Sequence, residues 1–164
     1  MTMTFTRMTK RSALAMVVTL ACVLLGHAPP VPAQAPPAAA TGARLVAQIS
    51  QIRSDQGSVR CLLFASATGF PNDPARAVAR VGAAVRRGQA RCVFENITVR
   101  PHAVAVHHDE DGEGDFDTGL FGIPTEGVGA SRDAHGSMGP PSYEDARINV
   151  VSGENRIRIQ ISYP

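Results

Sequence analysis

The chain has 164 residues, with 16 Lys+Arg against 14 Asp+Glu, a length that allows one domain. Arg7, Lys10 and Arg11 lie before residue 41, so the remainder carries 13 basic and 14 acidic side chains, and this near balance excludes a general nucleic-acid binder. Lys10 is the only lysine, which excludes a Schiff-base or lysine-nucleophile enzyme beyond the leader.

Residues 1–28 read as a secretory signal. Arg7, Lys10 and Arg11 form its positive start, and Ser12 to Gly26 is an unbroken run of small and apolar residues. That run is too short to span a bilayer comfortably and has no stop-transfer flank. Thr19 stands where a lipoprotein signal ending at Cys22 would carry leucine. The expectation is a periplasmic or secreted protein with no stable membrane span in its mature part. Residues 29–43, PPVPAQAPPAAATGA, read as a disordered Pro/Ala-rich linker, since nothing in them can build a core. Ala33-Gln34-Ala35 and Ala38-Ala39-Ala40 both have the small-residue form of a cleavage site. Residues 44–164 are expected to form one folded domain.

That domain alternates from its first residues. LVAQISQI, from Leu45, predicts a strand ending at the turn Ser54-Asp55-Gln56-Gly57. Ser58–Ser66, SVRCLLFAS, predicts a second, more apolar strand, and the short gap suggests that the two form a hairpin. Gly69 to Pro74 is a turn cluster in which Asn72 or Asp73 can cap a helix begun by Pro74. A short helix near 74–80 followed by a strand near 81–87 is expected. A single helix to Arg87 is the second reading, weakened by Gly82 and the valines. A turn at Gly88-Gln89 and a strand over 90–95 follow. Cys61 and Cys92 are an even pair in an exported domain and read as a disulfide. Two separate buried thiols would suit their apolar settings equally.

HAVAV, within 96–106, predicts a strand that runs into HHDEDGEGDFDTG, residues 107–119. Six of the nine residues from Asp109 to Asp117 are carboxylates. The order Asp109-x-Asp111-x-Glu113-Gly114-x-x-Asp117 follows the front of a calcium loop, in which oxygen ligands alternate and a glycine makes the sharp turn. The backbone carbonyl of Asp115 is the natural main-chain ligand. Leu120 stands where an EF-hand has its bidentate glutamate, and Glu126 is the nearest later carboxylate that a folded-back loop could supply. His108 is placed to orient the loop from its first residue. A solvated acidic turn is the plainer reading. Zinc or copper held by His102, His107, His108 or His135 is a third, although neighbours such as His107 and His108 point to opposite faces of a strand.

Residues 118–142 are dense in Gly and Pro and predict a long irregular excursion. ARINVV and NRIRIQISY then alternate, with Ile157, Ile159 and Ile161 on one side, Arg156, Arg158 and Gln160 on the other, and a turn at Ser152-Gly153-Glu154. Short strands separated by turns predict an all-β antiparallel sandwich with one short helix.

HDEDGEGDFDTGLFGIPTEGVGAS, then GPPSYEDA and a final alternating strand, resemble the bacterial exported family known as domain of unknown function 2141. Its pattern places His-Asp-x-Asn-x-Asn-Gly-x-x-Asp after a strand, then Gly-x-Pro-x-Glu-Gly-x-Gly-x-Ser, then Gly-Pro-Pro-x-Phe-x-x-Ala. Ala103, His108, Asp109, Gly114, Asp117, Gly122, Pro124, Glu126, Gly127, Gly129, Ser131, Gly139, Pro140, Pro141 and Ala146 match it. Asp111 and Glu113 replace the loop asparagines, His102 an aromatic residue and Tyr143 the phenylalanine. The resemblance implies a transthyretin-like or immunoglobulin-like sandwich and no established activity.

The expected function is a non-catalytic binding or structural module with a Ca²⁺ site, taking a protein or glycan ligand. A calcium-dependent hydrolase or carbohydrate-binding accessory is the alternative. Glu126 with Glu144, or Ser131 or Ser142 with His135, could be drawn as catalytic groups, but no recognisable motif surrounds them. The absence of Trp and an aromatic content of 5% leave little for a sugar-stacking platform.

Overall fold

The computed structural model describes residues 42–114 and 125–164. The signal, nearly all of the linker, and Asp115, Asp117 and Leu120 of the loop lie outside them. Eight strands form two sheets: β1 (Ala43–Ser50), β2 (Ser58–Phe64), β3 (Ala79–Ala84), β4 (Ala90–Ile97), β5 (Pro101–Asp109), β6 (Gly127–Ala130), β7 (Ile148–Asn149) and β8 (Glu154–Gln160). One sheet has the order β4-β1-β8 and the other β3-β2-β5-β6, with β7 also paired to β5. The domain is an all-β sandwich. Among the described residues no helix is long and apolar enough to cross a membrane.

Alternation explains the main core. Leu45, Ala47 and Ile49 of β1, Val59, Cys61 and Leu63 of β2, Val104 and Val106 of β5, and Ile159 and Ile161 at the end of the chain pack between the sheets. Large side chains such as Leu63 and Phe94 are buried, each worth about 1.5–3 kcal/mol of transfer free energy. Cys61 and Cys92 form a disulfide across a Cα separation of 6.5 Å, which joins β2 of one sheet to β4 of the other. The second face of the larger sheet has its own small core. Phe64, Ala103, Ala105 and Ala130 meet Tyr143 and Ala146 of the four-residue helix α1 (Tyr143–Ala146), capped by Ser142. β5 is therefore covered on both faces, which is why Ala103 to Val106 is continuously apolar.

Several expectations are corrected. β1 and β2 do not form a hairpin. Both edges of β1 are taken by β4 and β8, so the chain crosses to the other sheet through Gln51 and Gly57, both at positive φ (63° and 62°). β8 pairs with β1 in parallel, so the smaller sheet is mixed. A parallel pair requires a long connection, and here the chain between the two passes through the entire larger sheet. The helix expected over 74–80 is one 3₁₀ turn, Pro74–Arg76, with Asp73 Oδ1 accepting from Ala75 N at 2.9 Å. Val78 is exposed, so the segment has no apolar helical face to bury, and β3 begins at Ala79. In ARINVV only Ile148–Asn149 is strand, and it pairs with β5 rather than with its sequence neighbour. The Gly-rich excursion contains β6, whose Gly127 and Gly129 lie so close to Ile161, Tyr163 and Gln160 that a Cβ would stand 2.4 and 2.7 Å from the nearest atom.

Candidate metal centre

The acidic site lies at the far end of β5, on the face turned away from the main core. Alternation directs Val104, Val106 and His108 inward and Ala103, Ala105, His107 and Asp109 outward. β6 runs antiparallel to β5 with Gly127 opposite His108, which brings Glu126 alongside Asp109. Glu126 Oε1 accepts from the backbone N–H of Glu110 at 2.8 Å. The loop then turns on its own side chains: Asp109 Oδ1 accepts from Gly112 N at 2.8 Å, and Asp111 Oδ1 from Glu113 N at 3.0 Å. Gly112 and Gly114 supply the positive φ, 79° and 86°, that these turns need.

Asp109, Asp111 and Glu126 each present a carboxylate oxygen, and the three lie within 4.8 Å of one another. Asp109 and Glu126 are buried and Asp111 is exposed. At an effective dielectric of about 20, two charges at that spacing repel by about 3 kcal/mol before salt screening. Part of this is offset locally. Arg60 does so, with Nη1 3.4 Å from Asp109 Oδ2; the His107 ring lies beside Glu126, Nε2 3.7 Å from Oε2. Three converging carboxylates form a hard-oxygen environment suited to Ca²⁺ rather than to a soft metal.

Glu110 points into a different network. Arg53 Nε donates to both of its oxygens at 3.1 and 3.0 Å, a second guanidinium nitrogen also bonds it, and Ser54 Oγ donates at 2.8 Å. The bond to Arg53 holds the Glu110 carboxyl down at about 2. The Arg53 guanidinium also lies over the Tyr163 ring, 4.4 Å from its centroid. The Tyr163 hydroxyl accepts from Arg53 N at 3.0 Å and faces His108 Nδ1 at 2.8 Å. His108 Nε2 lies 2.9 Å from the carbonyl of Gln56. A carbonyl can only accept, so Nε2 carries a proton and donates to Gln56. His108 thus ties the root of the loop to the preceding turn and to the segment after β8, from the side opposite the Asp109, Asp111 and Glu126 carboxylates. Burial pushes the Tyr163 hydroxyl above its ordinary pKa.

Of the expected ligands, Asp109 and Asp111 converge, and Glu126 joins them from just before β6. Glu113 is exposed and outside that group. Asp115 and Asp117 lie outside the described residues. No histidine belongs to the group. His102 is buried, and its two ring nitrogens face the Arg100 carbonyl at 2.8 Å and Thr98 Oγ1 at 3.4 Å. Burial lowers its pKa. His102 therefore fills the space of a core aromatic residue, as a partnered ring. The drawn nucleophiles are engaged structurally. Ser131 is fully buried, donating to the Ala146 carbonyl at 2.6 Å and accepting from Val104 N at 2.9 Å, and Ser142 caps α1. Glu144 pairs with Arg147 at 2.6 Å. Sequence reasoning missed Arg53, Arg60 and Tyr163. Tyr163 carried a signal, because it continues the inward series Ile157, Ile159, Ile161.

The profile of the family described as "Uncharacterized protein conserved in bacteria (DUF2141)" matches residues 47–158. That span runs from β1 to the middle of β8 and includes the acidic site. No curated protein and no solved structure matches the chain.

Proposed function

This chain belongs to the bacterial DUF2141 family, and from that premise we propose that it is an exported binding module whose acidic site takes one Ca²⁺. The reading rests on one observation: Asp109 at the end of β5, Asp111 in the turn after it and Glu126 just before β6 bring oxygens within 4.8 Å of one another. Coordination by three carboxylates would replace their mutual repulsion with attraction to a common cation, and water or backbone oxygens would complete the shell of six to eight. Export is supported by the disulfide and by the charged and apolar start of the chain.

An incomplete protein ligand set implies weak binding, with a dissociation constant of about 10⁻⁴–10⁻³ M. At about 2 mM free Ca²⁺ and a dissociation constant of ~0.1 mM, binding stabilises the fold by ~1.8 kcal/mol. For a domain of this size that raises the melting temperature by roughly 7 °C. Calorimetric titration and melting curves with Ca²⁺ or EDTA test this. Asp111→Ala should abolish the Ca²⁺ response, so that the variant's melting curves in Ca²⁺ and in EDTA coincide, and because Asp111 is exposed the domain should still fold. Mg²⁺ should substitute poorly, since it demands a tighter octahedral shell. Identical melting curves in several millimolar Ca²⁺ and in EDTA would reduce the loop to a solvated acidic turn.

A further inference from the structure

The opposite charge collects on the outer face of the smaller sheet. Register sets Gln48 of β1 between Arg91 of β4 and Arg158 of β8, and all three are exposed. The carboxylates of this face are engaged elsewhere on it. Glu95 and Glu154 both bond Arg44, and Glu154 also bonds Arg156. Among the described residues Arg91 and Arg158 form no ion pair, nor does Arg86 at the end of the β3–β4 connection. Adjacent strands lie about 4.8 Å apart, so two arginines flanking one glutamine stand ~10 Å apart at their backbones. Their long side chains can converge on a single group.

These residues line part of a groove of about 710 Å³ that extends past β4 to Gly82–Ala84 of β3, with Gln48 and Gln89 beside Arg86, Arg91 and Arg158. The third arginine is held by a defined turn. Arg86 and Gln89 bond each other through both backbone groups, at 2.8 and 3.1 Å. The two residues between them, Arg87 and Gly88, have φ of 54° and 70°, and Asp55 accepts from both of their N–H groups at 2.9 Å. Those two bonds, Gly88 first, lower the Asp55 pKa. The carboxylate at this turn bonds backbone donors rather than a guanidinium, and it also interacts electrostatically with Arg86 and Arg87.

We propose that this groove binds the phosphate group of a phosphorylated saccharide. Three features favour that class. A carboxylate is satisfied by one bidentate guanidinium, whereas arginines arriving from β4, β8 and the β3–β4 turn suit a dianion with three acceptor oxygens. The groove is far larger than an oxyanion needs and lies in the range of small-molecule sites. Gln48 and Gln89 add amide donors and acceptors, which match neutral hydroxyls. No aromatic side chain lines the groove, so a neutral sugar has nothing to stack on and the phosphate must supply most of the affinity. The site is separate from the acidic end of β5 and does not depend on calcium.

Calorimetric titration at low ionic strength tests the proposal, with glucose 6-phosphate, inorganic phosphate and glucose as probes. Glucose 6-phosphate should bind more tightly than inorganic phosphate, and glucose should not bind. Arg91→Gln and Arg158→Gln should each weaken binding about tenfold or more, the usual scale for losing a charged hydrogen bond. Arg76→Gln removes the same charge from an exposed side chain outside the groove and should leave affinity unchanged. Circular dichroism confirms that each variant is folded. Equal losses for Arg76→Gln and Arg158→Gln would show attraction to net charge alone and overturn the site. Equal affinity for glucose 6-phosphate and inorganic phosphate would overturn the saccharide assignment, and absence of binding at 10 mM glucose 6-phosphate would overturn the whole proposal.

Discussion

Reducing the Cys61–Cys92 bridge should cost this domain several kcal/mol of stability. The bridge joins the two sheets, which are otherwise connected covalently only through the backbone turns between strands. The cysteines are 31 positions apart. In the chain-entropy model, closing a loop of about that length removes roughly 12 cal/mol/K from the unfolded ensemble, or ~3.7 kcal/mol at 25 °C. Comparing oxidised with reduced protein leaves both sulfur atoms in place, so no core cavity confuses the result. With an m-value of about 1.5 kcal/mol/M, the urea midpoint should fall by ~2.5 M in reductant, and the melting temperature by roughly 15 °C. Both cysteines are fully buried, so reduction of the native protein should also be slow unless denaturant is present. A midpoint shift below about 0.5 M, or less than ~1 kcal/mol, would refute the loop-entropy argument.

Two further perturbations probe the root of the acidic loop. Gly57→Ala should destabilise by at least ~2 kcal/mol, because φ is +62° and a Cβ would stand 1.9 Å from the Asp109 carbonyl oxygen. Gly112→Ala has a similar φ of +79° but open space around it, so only the backbone strain of about 1–2 kcal/mol should appear. Equal urea midpoints for the two variants would contradict the close approach. The Arg53–Glu110 pair should add an acid limb to stability. The Glu110 carboxyl titrates at about 2 when folded against an ordinary 4.5, so the unfolded chain binds more protons between those values and stability is lost as pH falls through them. Arg53 is half exposed, and solvent screening limits the loss to about 1 kcal/mol. Glu110→Gln should remove that component from the pH dependence of the urea midpoint, and an unchanged dependence would refute the pairing.

Local chemistry makes much of this molecule legible in its sequence. The alternation of Ile157, Ile159 and Ile161 against Arg156, Arg158 and Gln160 is realised in β8, because side chains on a strand alternate whatever its partner. The same reasoning locates β2, β4 and β5, the spacing of Asp109 and Asp111 and, one residue late, the turn that the structure centres on Arg87-Gly88. Strand partnership is not legible. A period of two says which face is apolar but not which neighbour lies alongside, so the β1–β2 hairpin is the natural expectation and the parallel β1–β8 pair is not. The short helix fails for a related reason. A capping residue and Pro74 start a turn, but only an apolar face to bury would continue it.

Each charged cluster depends on that partnership. Glu126 reaches Asp109 because β6 pairs with β5 in one register, and a shift of one residue would send its side chain to the other face. Arg53 reaches Glu110, and Tyr163 reaches His108, across separations of 57 and 55 residues. Arg91 and Arg158 flank Gln48 only because β4 and β8 take the two edges of β1. Periodicity, turns and the local density of carboxylates are set within a few residues along the chain, and so the order of amino acids is enough to specify them. Which charges meet is settled in three dimensions, because bringing distant charges together depends on strand pairings whose free energy comes from burying the core between the sheets.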